Sequence, residues 1–204
     1  MRESKVAAIG PLREAGILRV VYKQLSPGDL RKLRAKSNDA QTGGGARDFR
    51  LPYRAFDPVM RKLLPQTRQE ERRRNGARTT VDFHWGPVKF GTRGKEIEVV
   101  NLDWESPTDA RPTEGRISRI HTHFNLPKED PEFGAVLFLI MQHETEVRAH
   151  YAYERDLRDG KWNSELTQHI LACMDNPNRR ARSLAQGFID CVEGLKYCHG
   201  IAGD

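Results

Sequence analysis

Apolar and polar positions alternate in short runs over most of this chain, and only near the C-terminus does the spacing widen to a helical period. Gly16–Tyr22 (GILRVVY) is apolar and β-branched and predicts a first strand. Further strands are predicted over Thr79–Trp85, Val88–Phe90, Glu96–Leu102, Ile117–Ile120, Ala135–Gln142 and Thr145–Tyr153, and the looser alternation of Phe49–Tyr53 adds another. Turn residues separate most of them, as at Gly86-Pro87, Gly91–Gly94 and Ser106-Pro107. Two short helices are predicted early in the chain. Ser26–Ala35 has Pro27 and Asp29 at its start, and Phe56–Leu64 opens on Asp57-Pro58 and stops before Pro65. Ser37–Ala46 is polar and glycine-rich and reads as a loop, and Gln66–Arg78 is a charge run of the kind found in solvated helix ends or mobile loops. After Asp159-Gly160, Ser164–Met174 and Arg180–Lys196 predict two helices, the second with a stripe of Leu184, Phe188, Cys191, Val192 and Leu195. Many short strands with irregular turns imply a mainly β fold with flanking helices (α+β), a barrel or sandwich rather than a doubly wound sheet.

Charge changes this picture. The 204 residues carry a net +6, but residues 1–95 hold 22 Lys+Arg against 9 Asp+Glu, a net of +13, and the remainder is acidic. A basic half marks a candidate binder of polyanions, nucleic acid first among them. Membrane insertion through helices is not expected, because the longest apolar run, Ala135–Met141, is far short of the ~20 residues a spanning helix needs. The N-terminus has no secretory pattern, so a cytoplasmic setting is expected, with Cys173, Cys191 and Cys198 as free thiols.

Two segments carry candidate chemistry. The first runs from Lys36 to Asp48. Its three glycines, Gly43–Gly45, permit close backbone approach, and Lys36, Asn38, Asp39, Gln41, Thr42 and Arg47 surround them. Asn and Gln can pair bidentately with adenine, and Arg with guanine. No Gly-Lys-Ser/Thr follows at P-loop spacing. The second runs from Ser106 to Ile120 and sets Arg111, Arg116 and Arg119 around Glu114, which can orient an arginine or accept from a cytosine amino group.

Together these segments resemble the N-terminal effector domain of the EcoRII-type restriction endonucleases. The resemblance rests on Asn38-Asp39-x-x-Thr42-Gly43-Gly44, on the helix end Lys62-Leu63-Leu64-Pro65, on Arg111-x-x-Glu114-x-Arg116-Ile117-x-Arg119 and on the apolar strand Gly134–Met141, in that order over residues 18–160. It implies a seven-stranded DNA-binding pseudobarrel over residues 1–160, with 161–204 as a helical extension packed on it. It also implies two arms, Lys36–Arg47 and Arg111–Arg119, that grip double-stranded DNA in the major groove. Gly45-Ala46-Arg47 stands where the family has a His-Gln pair. No counterpart of the family's large nuclease domain lies in these residues, so the expectation is binding without cleavage or cofactor. A separate nuclease or restriction-modification protein would then cut, with phage defence as the setting.

The alternative is a small magnesium-dependent nuclease using Asp82, Glu96 and Glu98, since carboxylates two apart on a strand share a face. Glu98 stands where such sites carry lysine, and solvent-facing acids are the simpler reading. His121-x-His123 and the Cys191, Cys198, His199 group lack the paired spacing of a zinc site.

Overall fold

The computed structural model describes residues 16–34, 48–74, 77–90, 98–118, 120, 131–160, 162, 164–178 and 183–200. The fold is mainly β. Ten strands and four α-helices lie among the described residues, where the resemblance implies seven strands. The chain forms two compact units, Met1–Gly28 with Leu126–Asp204 (unit 1) and Asp29–Asn125 (unit 2). This division does not follow the boundary expected at residue 160. No helix among the described residues is long and apolar enough to cross a membrane.

Unit 1 is an antiparallel sheet in the order β10-β9-β1-β7-β8. Its strands are β1 (Ile17–Gln24), β7 (Val136–His143), β8 (Val147–Tyr153), β9 (Gln186–Asp190) and β10 (Leu195–Cys198). Helices α3 (Glu154–Arg158) and α4 (Ser164–Met174) belong to the same unit, and α4 packs against β9. The core gathers Val20, Tyr22, Leu137, Leu139, Leu166, Ile170 and Ile189. β1 and β7 read correctly as strands because they are near-continuous apolar runs, the signature of a strand covered on both faces.

The second C-terminal helix is not formed; Arg180–Lys196 contains β9 and the start of β10 instead. The stripe that suggested a helix also fits a hairpin, and local chemistry decides for the hairpin. Asp190 Oδ1 accepts the backbone N–H of Val192 at 3.0 Å and of Glu193 at 3.1 Å, and Gly194 takes φ 70°. Together they close a turn no helix could hold. The cysteines differ from expectation too. Cys173 and Cys198 form a disulfide from α4 to β10, and Cys191 is free and buried.

Unit 2 holds antiparallel strands in the order β3-β4-β5-β6-β2. Its strands are β2 (Phe49–Pro52), β3 (Gln66–Arg74), β4 (Ala77–Phe90), β5 (Glu98–Glu105) and β6 (Glu114–Ser118). Helix α1 (Pro27–Arg34) spans the unit boundary, and α2 (Tyr53–Leu63) lies against β2, β4 and β6. The charge run 66–78 is thus not a loop or helix end; most of it is the edge strand β3. Charged side chains on an edge are compatible with pairing on one side only and discourage pairing with another chain. Gly86-Pro87 does not break β4 as expected. β3 ends opposite Trp85, and β4 continues through Gly86-Pro87 paired with β5, Pro87 opposite Asn101.

Register sorts unit 2 into two kinds of row. Thr67, His84, Trp104, Ile117 and Phe49 lie side by side across the five strands, and the next row is Arg68, Phe83, Glu105, Arg116 and Arg50. Adjacent rows point to opposite faces. The Trp104 face is the apolar one. There α2 buries Phe56, Val59, Met60 and Leu63. Tyr53 stacks on Trp104, whose indole N–H donates to Asp57 at 3.1 Å. Helix α2 begins three residues earlier than expected, so Pro58 lies inside it and Asp57 serves Trp104 and Arg61 rather than a cap.

Candidate functional site

The opposite face of unit 2 holds a lattice of guanidinium and carboxylate groups. It follows from period-two alternation. In β3 the alternate residues are Arg68, Glu70 and Arg72; in β5, Asp103 and Glu105; in β6, Glu114 and Arg116. Asp48 and Arg50 join from β2 and the residue before it. Asp48, Asp103 and Glu105 are buried. A buried carboxylate is tolerated only when paired, and each of these is paired with arginine.

Arg68 makes a two-pronged contact with Asp103, Nη1 to Oδ1 at 2.9 Å and Nη2 to Oδ2 at 2.6 Å. Arg72 Nη1 donates to Glu105 Oε2 at 3.0 Å. The same oxygen accepts from Arg116 Nε at 2.6 Å and pairs with its Nη2. Arg116 Nη1 reaches Asp48 Oδ2 at 3.4 Å. Arg50 bridges Asp48 and Glu114, the latter at 3.0 Å, and Glu114 also meets Arg111 at 3.4 Å. The Arg68 and Arg72 guanidinium carbons lie 4.7 and 4.9 Å from the centroid of the buried Phe83 ring. That is within cation–π range. Hydrogen bonding from Arg68 holds the Glu70 carboxyl below the usual carboxylate range.

The second expected arm is largely not a loop. Glu114–Ser118 is strand β6, paired with β2 on one side and β5 on the other, with Gly115 and Ile117 buried. Only the turn before it projects. Arg111 donates its backbone N–H to the Thr108 carbonyl at 2.7 Å, and its side chain is 58% exposed. Arg116, expected to read a base, instead turns all three guanidinium nitrogens toward carboxylates. Lys36, Asn38, Asp39, Gln41, Thr42, Arg47 and Arg119 lie outside the described residues. β2 and β6 begin at opposite ends of their ladder, since Phe49 faces Ile117 and Pro52 faces Glu114.

The nuclease set fares differently. Glu98 faces Phe90, eight residues along β4 from Asp82, which is about 26 Å at the usual strand rise. Asp82 accepts from Gln69 at 2.7 Å, in the stretch of β4 that pairs with β3. The two cannot share a metal ion, and Glu96, like His121 and His123, is outside the described residues. Cys198 is spent in the disulfide, and the Tyr197 hydroxyl lies 2.9 Å from His199 Nδ1. Among the described residues no group of three or more His, Cys, Asp or Glu is arranged to hold a metal.

The sequence predicts Arg72 only as a phosphate contact in the charge run, and it misses the supports Asp48, Arg50, Arg68, Asp103 and Glu105. Their signal was the alternation Arg68-x-Glu70-x-Arg72 and Asp103-x-Glu105 around Trp104, legible once 66–74 is taken as a strand. No family model, no curated protein and no solved structure matches the chain.

Proposed function

We propose that this chain binds double-stranded DNA in a sequence-dependent way through unit 2, in the manner of an EcoRII-type effector domain, and does not cleave it. The observation that carries this reading is the arginine row of unit 2, with guanidiniums fixed from behind by buried carboxylates. Such side chains lose little rotamer freedom on meeting a phosphate, and their planar forks suit phosphate geometry. Charge agrees. Unit 2 holds 20 Lys+Arg against 13 Asp+Glu, a net of +7, whereas unit 1 holds 14 against 15, a net of −1. In this reading Arg111 contacts DNA from the turn, Glu114 and Arg116 brace it, and segment 36–47 supplies the other arm. Cleavage would come from a separate partner.

The test is selection of binding sites from a random duplex library, followed by titration of selected and scrambled duplexes. Affinity should fall by ~10³ or more between 50 and 200 mM salt if at least ~6 phosphates are neutralised. A flat salt response, or no binding at low salt, would overturn the proposal.

A further inference from the structure

On one strand the lattice contains an arrangement that no structural requirement of the sheet explains. Arg68 and Arg72 are already neutralised from below by Asp103 and Glu105. A third carboxylate, Glu70, sits between them on the outer side. Its Oε1 accepts from Arg68 Nε at 3.1 Å and its Oε2 lies 3.4 Å from Arg72 Nη2. The two inner acids are buried, whereas Glu70 is 41% exposed and its partners 32% and 39%. The buried acids and the Phe83 ring hold the guanidiniums in place, and the exposed acid only covers them.

We infer that Arg68 and Arg72 form a phosphoryl-binding site and that the Glu70 carboxylate occupies it as an internal stand-in for the ligand. The site takes two oxygens of one phosphodiester, in the place of the two oxygens of Glu70. Three features support it. The two arginines are four residues apart on a strand, an even spacing with Glu70 midway, so all three point to one face. One carboxylate already spans them, so one phosphoryl group of similar oxygen spacing can do so. Their supports do not move when Glu70 leaves, because Asp103 and Glu105 hang from β5 rather than β3. Across the lattice Arg50, Arg68, Arg72, Arg111 and Arg116 are balanced by Asp48, Glu70, Asp103, Glu105 and Glu114, so moving Glu70 aside leaves one positive charge for the incoming phosphodiester. The assignment of the ligand as a nucleic-acid phosphodiester rests on the DNA reading above; the site itself does not.

The experiment compares Glu70→Gln with Glu71→Gln in the full chain. Both remove one negative charge from β3, but Glu71 faces the other way and is exposed, pairing with Arg78 at 3.8 Å. A mixed-sequence duplex is titrated by fluorescence anisotropy. Inorganic phosphate is titrated separately while the arginine Nε–H resonances are followed by NMR. Glu70→Gln should tighten duplex binding about two- to fivefold, the equivalent of one exposed ion pair, and steepen the salt slope by about 0.9. Adding Arg68→Ala should abolish that gain. Phosphate should move the Arg68 and Arg72 resonances at lower concentration in Glu70→Gln than in the wild type. If Glu71→Gln tightens duplex binding equally, net charge explains the effect and the site is overturned. If the wild type binds duplex but Glu70→Gln changes nothing, the site falls and the DNA reading stands. If no duplex binds but phosphate moves those resonances in Glu70→Gln, the DNA reading falls and the phosphoryl site stands. If neither probe registers, both fall.

Discussion

Arg116 and Glu105 stand directly opposite each other on β6 and β5, and Nε of Arg116 donates to the buried carboxylate at 2.6 Å. The same Glu105 oxygen holds Arg72 of β3, so one atom gathers side chains from both sides of β5. Removing it leaves Arg116 its longer contact with Asp48 and Arg72 its longer contact with Glu70, both at 3.4 Å, whereas removing Arg116 leaves Glu105 paired with Arg72 at 3.0 Å. Glu105→Ala should therefore cost about 3 kcal/mol. Arg116→Ala should cost about half as much, since exposed parts of these side chains are screened. Urea unfolding measures both; equal losses would show that Glu105 is not the pivot.

Arg111 is the inverse case. Its side chain is mostly exposed and makes one long contact, to Glu114. Arg111→Ala should leave the unfolding midpoint within about 0.5 kcal/mol of the wild type. In the proposed function it should lose about 1–3 kcal/mol of preference for a selected duplex. A competition titration against a scrambled duplex reads this. Arg116→Ala should lower stability as well, which tells a bracing residue from a contacting one.

Unit 1 predicts an acid weakness. His169 lies edge-on to Tyr22, with Nε2 3.4 Å from its hydroxyl, and its pKa is pushed down to about 4, first by burial and then by the nearby Lys196 charge. Between about pH 6.5 and 4 the unfolded chain binds a proton that the folded chain refuses, so stability falls as pH drops through that window. The full span corresponds to about 3 kcal/mol. Burial moves His84, His143 and His150 in the same direction. Chemical unfolding at pH 7 and pH 4.5 should therefore show a smaller loss in His169→Gln than in the wild type. An identical loss would assign the effect to the other histidines.

Gly115 is fixed by a neighbour rather than by its own backbone. A Cβ there would fall 2.4 Å from the Trp104 ring and 2.9 Å from Tyr53. Gly115→Ala should cost about 1–3 kcal/mol by overpacking. It should also shift tryptophan emission to the red as Trp104 loses its enclosed setting. Unchanged emission together with unchanged stability would mean that the ring moves aside freely.

What the sequence made legible depended on how each element is stabilised. β1, β7, β8 and α4 are held by their own apolar runs or stripe, and all four stand within two residues of where the pattern predicts them. β3 has no apolar residue at all, because its inward side chains are arginines that cover Phe83 and meet acids from β5. Hydropathy reads such a strand as loop; only its partners make it a strand. β9 and β10 failed for the opposite reason. Their apolar stripe fits either period, and Asp190 with Gly194 decides. At the site, sequence found Arg111 and Arg116 but not Arg50 or Arg68, and not how any of them is occupied. Charge along a chain does not reveal which guanidiniums face outward, and Arg116, read as a base contact, has all three nitrogens on carboxylates.

Unit 1 draws its strands from both sides of unit 2, and this sets an order of events during synthesis. Val20 of β1 pairs with Met141 on one edge and with Ile189 on the other. A ribosome releases β1 long before either partner exists, whereas the β3–β4, β4–β5, β5–β6 and β2–β6 pairs all lie within Asp29–Asn125. Unit 2 can close while β1 waits, an apolar β-branched segment with both hydrogen-bonding edges open. The nascent chain is therefore most exposed to misassociation in the interval before β9 emerges, and Ile17–Gln24 is where a chaperone would be expected to bind.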